Sequence, residues 1–463
     1  MHRLVTVVFL VSLSVVSAAS AQQAPPAAAK PNVVLIITDD VGYGDIGSYG
    51  APDIKTPNID SLAREGTKLT DFYAAPTCTP TRAALITGRY QQRVRLERPI
   101  NPGPEDPGLA ATGRSLPQLI KNSGYATGLM GKWHLGWKPE FSPNAHGFDY
   151  FFGFKGGFID YYQHTNGEGL DDLFENNTPI KLTGYMTDLI TDHSVKFIEQ
   201  HAREPFFLEV TYNAAHWPFQ VPDHPSVAPN NARFVQPMDD MTSSRADYAK
   251  VLERADQGVG QILETLKRLG LVQNTLVIFT NDNGGEWLSR NAPLFQRKDT
   301  LWEGGIRVPA IVRWPGRIPA GKVSSQVGIT MDLSVSILAA TGTPVPPDAR
   351  LEGINLIPIL EGRAPSVERT LFWRIASNNR QQRAVRQGNW KLLLDGDDVL
   401  VFNLTKDLGE RNDLVRERQG QDVARRLRPL ITAWEEDVND EARTNVGAPF
   451  GGGRGRGGRG ATQ

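Results

Sequence analysis

Cysteine is nearly absent: Cys78 is the one thiol in 463 residues, which excludes an internal disulfide framework. An excess of either charge is absent too. With 50 Lys and Arg against 51 Asp and Glu, the formal net charge is -1, so no global attraction to nucleic acid or to an anionic membrane follows. The apolar stretch from Leu4 to Val16 falls short of the roughly 20 residues of a membrane span. Preceded by Arg3 and followed by Ala19-Ser20-Ala21, it predicts a secretory signal peptide over 1–21, cleaved before Gln22. No cysteine follows it to carry a lipid anchor, stable membrane insertion is not expected, and no internal repeat is visible. Exported proteins usually pair their cysteines or lack them, so a solitary one is a candidate reactive centre.

What is present is a body of ordinary composition, 22% charged and 40% hydrophobic, long enough for two or three domains or for one large fused sheet. An Ala-Pro stretch marks 22–30 as a linker. From Asn32 onward, continuous apolar runs alternate with amphipathic helical stretches, which predicts an α/β fold with a mostly parallel central sheet covered on both faces. Thr56-Pro57 opens one helix, stopped by Gly66; Ser244 to Leu269 carries a single apolar stripe from Tyr248 to Leu269 and ends at Gly270. After about Leu371 the runs shorten, with turns at Gln387-Gly388 and Asp395-Gly396. A smaller antiparallel sheet covered by a helix from about Gln421 to Val438, kinked at Pro429, is expected there. The division is therefore 31–370 for a catalytic domain, 371–445 for a C-terminal subdomain and 446–463 for a disordered tail. That tail contains GGGRGRGGRG but lacks the interleaved aromatics of a nucleic-acid-binding segment, so it reads as a solvated end.

In open α/β sheets ligands bind beyond the carboxyl ends of the strands, so the residues after each apolar run are informative. Val33 to Ile37 leads into Asp39-Asp40, and Leu276 to Phe279 into Thr280-Asn281-Asp282-Asn283. Taken singly, either pair is an ordinary turn or cap. Together Asp39, Asp40, Asp282 and Asn283 form an all-oxygen set suited to Ca²⁺ or Mg²⁺ and not to zinc. A third run, Tyr125 to Met130, leads into Gly131-Lys132-Trp133-His134, and a fourth, Phe206 to Tyr212, into Ala215-His216. His146, His164, His193, His201 and His224 are assigned to packing or surface roles.

Cys78 opens a helix of about two turns, with Thr79 as cap, Pro80 in the first turn and Gly88 as stop. Helix N-termini attract anions, and Arg82 adds a permanent positive charge one turn in. A cation, a helix dipole, Arg82, Lys132, Lys298, His134 and His216 around one sulfur-bearing residue suit a tetrahedral oxyanion.

These residues resemble the sulfatase family of the alkaline-phosphatase-like superfamily. Cys78-Thr79-Pro80-Thr81-Arg82 matches its Cys-x-Pro-x-Arg signature, Gly131-Lys132-Trp133-His134-Leu135-Gly136 resembles its second signature, and Lys298 precedes Glu303-Gly304-Gly305 as the family's second lysine does. Thr81 stands where serine is commoner, at a variable position. The resemblance spans about Pro31 to Leu430. It implies an arylsulfatase-like hydrolase of sulfate monoesters, and a generating enzyme that converts Cys78 to Cα-formylglycine. The modified residue then joins Asp39, Asp40, Asp282 and Asn283 at a Ca²⁺ (or Mg²⁺), and one hydroxyl of its hydrate is the nucleophile. It further implies that Asp282 helps deprotonate that hydroxyl, that His216 with Lys298 protonates the leaving oxygen, and that His134 is base on the second hydroxyl. The expected substrate is a sulfated small molecule or glycan, and Tyr161, Tyr162, His164, Trp217 and Trp287 could line a sugar site. Two alternatives stay open: a phosphonate or phosphate monoester hydrolase of the same fold, and a sulfated-glycan-binding protein without turnover.

Overall fold

The computed structural model describes residues 30–101, 108–223, 243–377 and 380–444. The expected signal peptide at 1–21, the 22–30 linker up to residue 29, His224 and the 446–463 tail lie outside the described residues.

The strands, in chain order, are β1 (Asn32–Thr38), β2 (Thr67–Leu69), β3 (Phe72–Tyr73), β4 (Ala126–Lys132), β5 (Tyr150–Phe154), β6 (Phe174–Glu175), β7 (Thr178–Pro179), β8 (Phe206–Thr211), β9 (Thr275–Asn281), β10 (Ala310–Arg313), β11 (Lys322–Ser324), β12 (Gly328–Ile329), β13 (Thr370–Ala376), β14 (Gln381–Gln387), β15 (Trp390–Asp395) and β16 (Asp398–Asn403). Ten of them form one sheet in the order β11-β2-β10-β9-β1-β8-β4-β5-β6-β7. Its centre, β9-β1-β8-β4-β5, is parallel, which brings the carboxyl ends of β1, β4, β8 and β9 to one edge. Successive residues of β1 serve opposite cores: Val34 and Ile36 pack on one face, Val33, Leu35 and Ile37 on the other. Both faces are thus covered, as uninterrupted apolar strands require. Helices Met186–Gln200 and Arg245–Arg268 cover the first face, and Leu116–Asn122 and Thr330–Ala340 the second.

The Arg245–Arg268 helix is capped reciprocally, with Asp247 N donating to Ser244 Oγ at 3.3 Å and Ser244 N to Asp247 Oδ2 at 2.9 Å. Its stripe is buried at Tyr248, Val251, Leu252, Ala255, Val259, Ile262 and Leu266 and half-buried at Leu263 and Leu269. Helix Pro57–Glu65 has proline in its first turn, as expected, but Thr56 does not cap it with its side chain. Asp256 of the long helix takes that role, accepting from Asn58 N at 3.1 Å and Ile59 N at 2.8 Å.

β13 to β16 form the separate antiparallel sheet in sequential order. Gly388 and Gly396 sit in its turns with φ of 55° and 60°. Val385, Leu392 and Leu394 pack on Val423, Leu427 and Ile431 of the covering helix, which runs Arg418–Thr444 and is longer than the expected span, with Pro429 inside it. Among the described residues, no helix is long and apolar enough to cross a membrane.

Candidate active site at the strand ends

Asp39 and Asp40 follow β1, Lys132 ends β4 with His134 two residues on, His216 follows β8, and Asp282 and Asn283 follow β9. Helix Cys78–Thr87 points its first residue at this edge and is buried from Cys78 to Ile86. Thr77, not Thr79, occupies its cap position, and no side chain caps it. Thr79 Oγ1 instead donates to His134 O at 3.0 Å, tying the helix start to the loop after β4. Gly88 ends the helix in left-handed backbone, φ 65°, as expected, after ten residues and nearly three turns.

The expected residues converge. Ligand atoms of Asp39, Asp40, Cys78 and Asp282 lie within 4.8 Å of one another, with Cys78 Sγ 3.8 Å from Asp39 Oδ1. Each carboxylate is matched by a cation: Lys132 Nζ donates to Asp39 Oδ2 at 2.6 Å, Lys298 Nζ to Asp40 Oδ2 at 2.7 Å, and Arg82 Nη2 to Asp282 Oδ2 at 2.9 Å. Arg82 Nη1 also donates to Lys132 O at 2.9 Å. Asn283 Nδ2 donates to Asp40 Oδ1 at 2.7 Å, while its Oδ1 is buried with no hydrogen-bond partner. A hard divalent cation fits this place, because three carboxylates converge there with no imidazole among the ligand atoms, and the side-chain oxygen of Asn283, next to Asp282, is buried without a partner. Three acidic and three basic side chains balance, so such a cation leaves the site positive toward a sulfate ester.

Asp40 and His134 are both in left-handed backbone, φ 58°, uncommon for residues bearing a Cβ and a mark of functional sites when the surroundings enforce it. His134 is buried, and burial and then Lys132 push its pKa well below the ordinary imidazole value. Its Nε2 meets Ile100 O at 2.9 Å, which assigns the proton to Nε2 and leaves Nδ1, buried without a partner, as a free lone pair. Gly157 packs directly over this ring; a Cβ there would lie 2.8 Å from His134 Cε1. His216 Nδ1 meets Trp217 O at 2.7 Å, and Nε2 lies 3.4 Å from Asp40 Oδ2. Burial lowers its pKa to about 3, although Asp40 opposes the shift. Burial pushes the Cys78 thiol up to about 12, so an unmodified Cys78 is neutral and a weak nucleophile. Lys298 is the reverse: burial disfavours its charge, yet Asp40 holds the ammonium well above its ordinary value.

The sulfatase family profile matches residues 31–343, a span that contains this whole constellation. The chain belongs to the sulfatase family. A second profile, N-sulphoglucosamine sulphohydrolase, C-terminal, matches 293–437. N-acetylgalactosamine-6-sulfatase of Homo sapiens is 36% identical over 464 residues, covering 88% of this sulfatase and 86% of that protein. Arylsulfatase A of Bos taurus is 34% identical, covering 84% of each. The crystal structure of Ps i-CgsB superposes with a TM-score of 0.78 at 32% identity, covering 87% of this chain and 92% of that one; a further structure holds it in complex with k-i-k-neocarrahexaose. This sulfatase is a sulfuric ester hydrolase.

Several supporting residues escape a reading by strand ends alone. Asn281 Oδ1 accepts from Thr38 Oγ1 at 2.9 Å and its Nδ2 donates to Val41 O at 3.0 Å, locking the turn after β9 to the turn after β1. Thr211 Oγ1 donates to Lys132 O at 2.8 Å. Glu209 is buried within β8 with Oε2 unpartnered, and burial raises its pKa to about 7 while Arg82 opposes that. A carboxylate inside Phe206-Phe207-Leu208-Glu209-Val210 was the available signal. Of the aromatics expected near a sugar, Tyr161 is fully buried and donates to Asn213 O and His216 O, Tyr162 OH donates to Val221 O and His164 Nε2 meets Gly184 O. These hold loops together. Trp217 is half-buried against Phe158, ring centroids 4.3 Å apart, and Phe158 in turn stacks on His216 at 5.6 Å. Trp287 is half-buried. The remaining described histidines have packing or surface partners: His146 meets Leu109 O, His193 stacks on Phe152 and His201 pairs with Glu204.

Proposed function

We propose that this sulfatase is exported and hydrolyses sulfate monoesters of a carbohydrate, with Cys78 converted to formylglycine as its nucleophile. The observation that carries the reading is the position of Cys78: a buried residue at a helix start, among three carboxylates each paired with a cation. The N-terminal pattern at 1–21 supports export. A carbohydrate substrate is supported by relatives named for N-acetylgalactosamine 6-sulfate and solved with a neocarrahexaose.

In the proposed cycle one hydroxyl of the formylglycine hydrate attacks sulfur, its proton passing toward Asp282, as the bond from sulfur to the alcohol oxygen breaks. Arg82, Lys132 and Lys298 face the charge that gathers on the sulfuryl oxygens. A divalent cation held by Asp39, Asp40, Asp282, Asn283 and the modified Cys78 would supply Lewis-acid charge stabilisation there. The departing oxygen needs a proton. Lys298 is assigned as the donor, with His216 beside it: Lys298 Nζ lies 2.7 Å and His216 Nε2 3.4 Å from Asp40 Oδ2. His134 then takes the proton of the second hydroxyl on Nδ1; the carbon–oxygen bond to sulfate breaks, sulfate leaves and the aldehyde returns, ready for water to restore the hydrate. A serine in place of Cys78 has no second hydroxyl and would stop after one transfer.

Replacing His134 with Ala is expected to block the second half, so that a sulfated enzyme heavier than the aldehyde form by about 98 Da, one water plus one sulfuryl group, accumulates in intact mass spectra during exposure to an aryl sulfate. Absence of any adduct in a folded, modified variant would remove His134 from that step.

A further inference from the structure

Lys298 lies on a segment without regular secondary structure between β9 and β10, yet the proposed chemistry needs its Nζ held against Asp40 and the leaving oxygen. Two main-chain bonds locate it: Lys298 N donates to Gly285 O at 3.2 Å and Asp299 N to Pro76 O at 2.9 Å. Past Asp299, whose φ is 61°, the next supports from outside the segment come from the C-terminal sheet and the loops that adjoin it. Leu301 N donates to Gln382 Oε1 at 2.8 Å and Glu303 N to Glu410 Oε2 at 2.6 Å. Arg380 donates to Asp299 O. The Glu303 carboxylate accepts from Lys391 Nζ at 2.9 Å and Tyr73 OH at 2.6 Å. The strand that carries Trp373 also reaches the loop before Cys78, through Trp373 Nε1 donating to Ala74 O at 3.0 Å.

Gln382 is the member of this set placed to act on Lys298. It is 2% exposed, it meets the chain three residues beyond the lysine, and its other end is fixed, Nε2 donating to Asp395 Oδ2 at 2.6 Å. Removing its carbonyl would strand a buried main-chain donor on the segment whose geometry sets Lys298, and displacements of about 1 Å at a reacting group cost on the order of 100-fold in rate. We propose that Gln382 of the C-terminal sheet is a positioning residue for Lys298, so that this sheet completes the proton-donating half of the active site. The proposal rests on the assignment of Lys298 as the donor to the leaving oxygen.

A leaving-group series separates this role from a purely structural one. Nitrophenolate departs without a proton, whereas phenolate gains from one. Gln382→Leu, corrected for folded and modified fraction, is expected to lower kcat on phenyl sulfate about tenfold more than on p-nitrophenyl sulfate; equal losses on both overturn the proposal. Lys298→Ala is the reference. If it shows no such bias, the assignment of Lys298 fails; if it shows the bias and Gln382→Leu does not, only the positioning role fails. Should Gln382→Leu not fold, Gln382→Glu keeps an acceptor for Leu301 N but sets two carboxylates against each other, which should displace the side chain and reproduce the bias, while adding Asp395→Asn removes the repulsion and supplies a donor to the new carboxylate. Return of the double variant to the wild-type ratio supports the proposal, and an unbiased single variant or an unrescued pair contradicts it.

Discussion

Arg82 shows how much one side chain does here. Its guanidinium joins Asp282 to Lys132 O, fixing a metal-ligand candidate and the end of β4 from a single helix residue. A lysine would keep the charge and lose the fork. Arg82→Lys is therefore expected to leave the fold intact and lower kcat/KM by about 100-fold, measured on any aryl sulfate; activity within a few-fold of wild type would show that charge alone suffices. Residues like this were legible from sequence because they sit directly after apolar runs or in the Cys78 segment. Thr79 was legible only in part: its hydroxyl could have capped its own helix, and the alternative partner, His134 O, comes from a loop 55 residues away. Gln382, Lys391 and Glu410 carried no local signal at all, since their partners are brought to them by docking of one sheet against another.

At the scale of elements, the central parallel strands and the long helices followed from periodicity, because each buries a face wide enough to dominate its sequence. The mixed edge did not. β2, β10 and β11 are three or four residues each, too short to show alternation, and their pairing depends on neighbours far along the chain. The start of helix Pro57–Glu65 gives a direct test of such long-range support. Asp256 is buried and accepts from Asn58 N, Ile59 N and Asn58 Nδ2, so Asp256→Ala should cost about 2 kcal/mol, read as a lower denaturant midpoint, with kcat unchanged. Another element-level test concerns His146, which is buried against Trp133 beside the β4 loop. Burial lowers its pKa to about 4 although Leu109 O opposes the shift. The folded value lies below the ordinary 6.5, so above that pH both states are neutral and nothing is lost. As pH falls from 6.5 toward 4 the unfolded chain takes up a proton that the folded one refuses, and stability drops by up to about 3 kcal/mol. His146→Gln should flatten this part of the stability profile; an unchanged acid slope would assign the loss to other groups.

In the whole molecule two sheets meet at one site: the strand ends of the large sheet carry the carboxylates, Lys132 and the histidines, and the smaller sheet contacts the segment of Lys298 through Gln382. Binding of a cation to the folded state alone should couple to global stability. Saturating Ca²⁺ after chelation is expected to restore activity and raise unfolding free energy by about 3 to 4 kcal/mol, followed by thermal melting with and without the metal. Equal activity and equal melting in the two states would exclude the carboxylate cluster as a cation site. The central claim, though, is covalent. Peptide mass spectrometry of the Cys78 segment, taken from a preparation that turns over a sulfate ester repeatedly, should show a loss of about 18 Da, the difference between thiol and aldehyde. Intact cysteine throughout an actively hydrolysing preparation would contradict it.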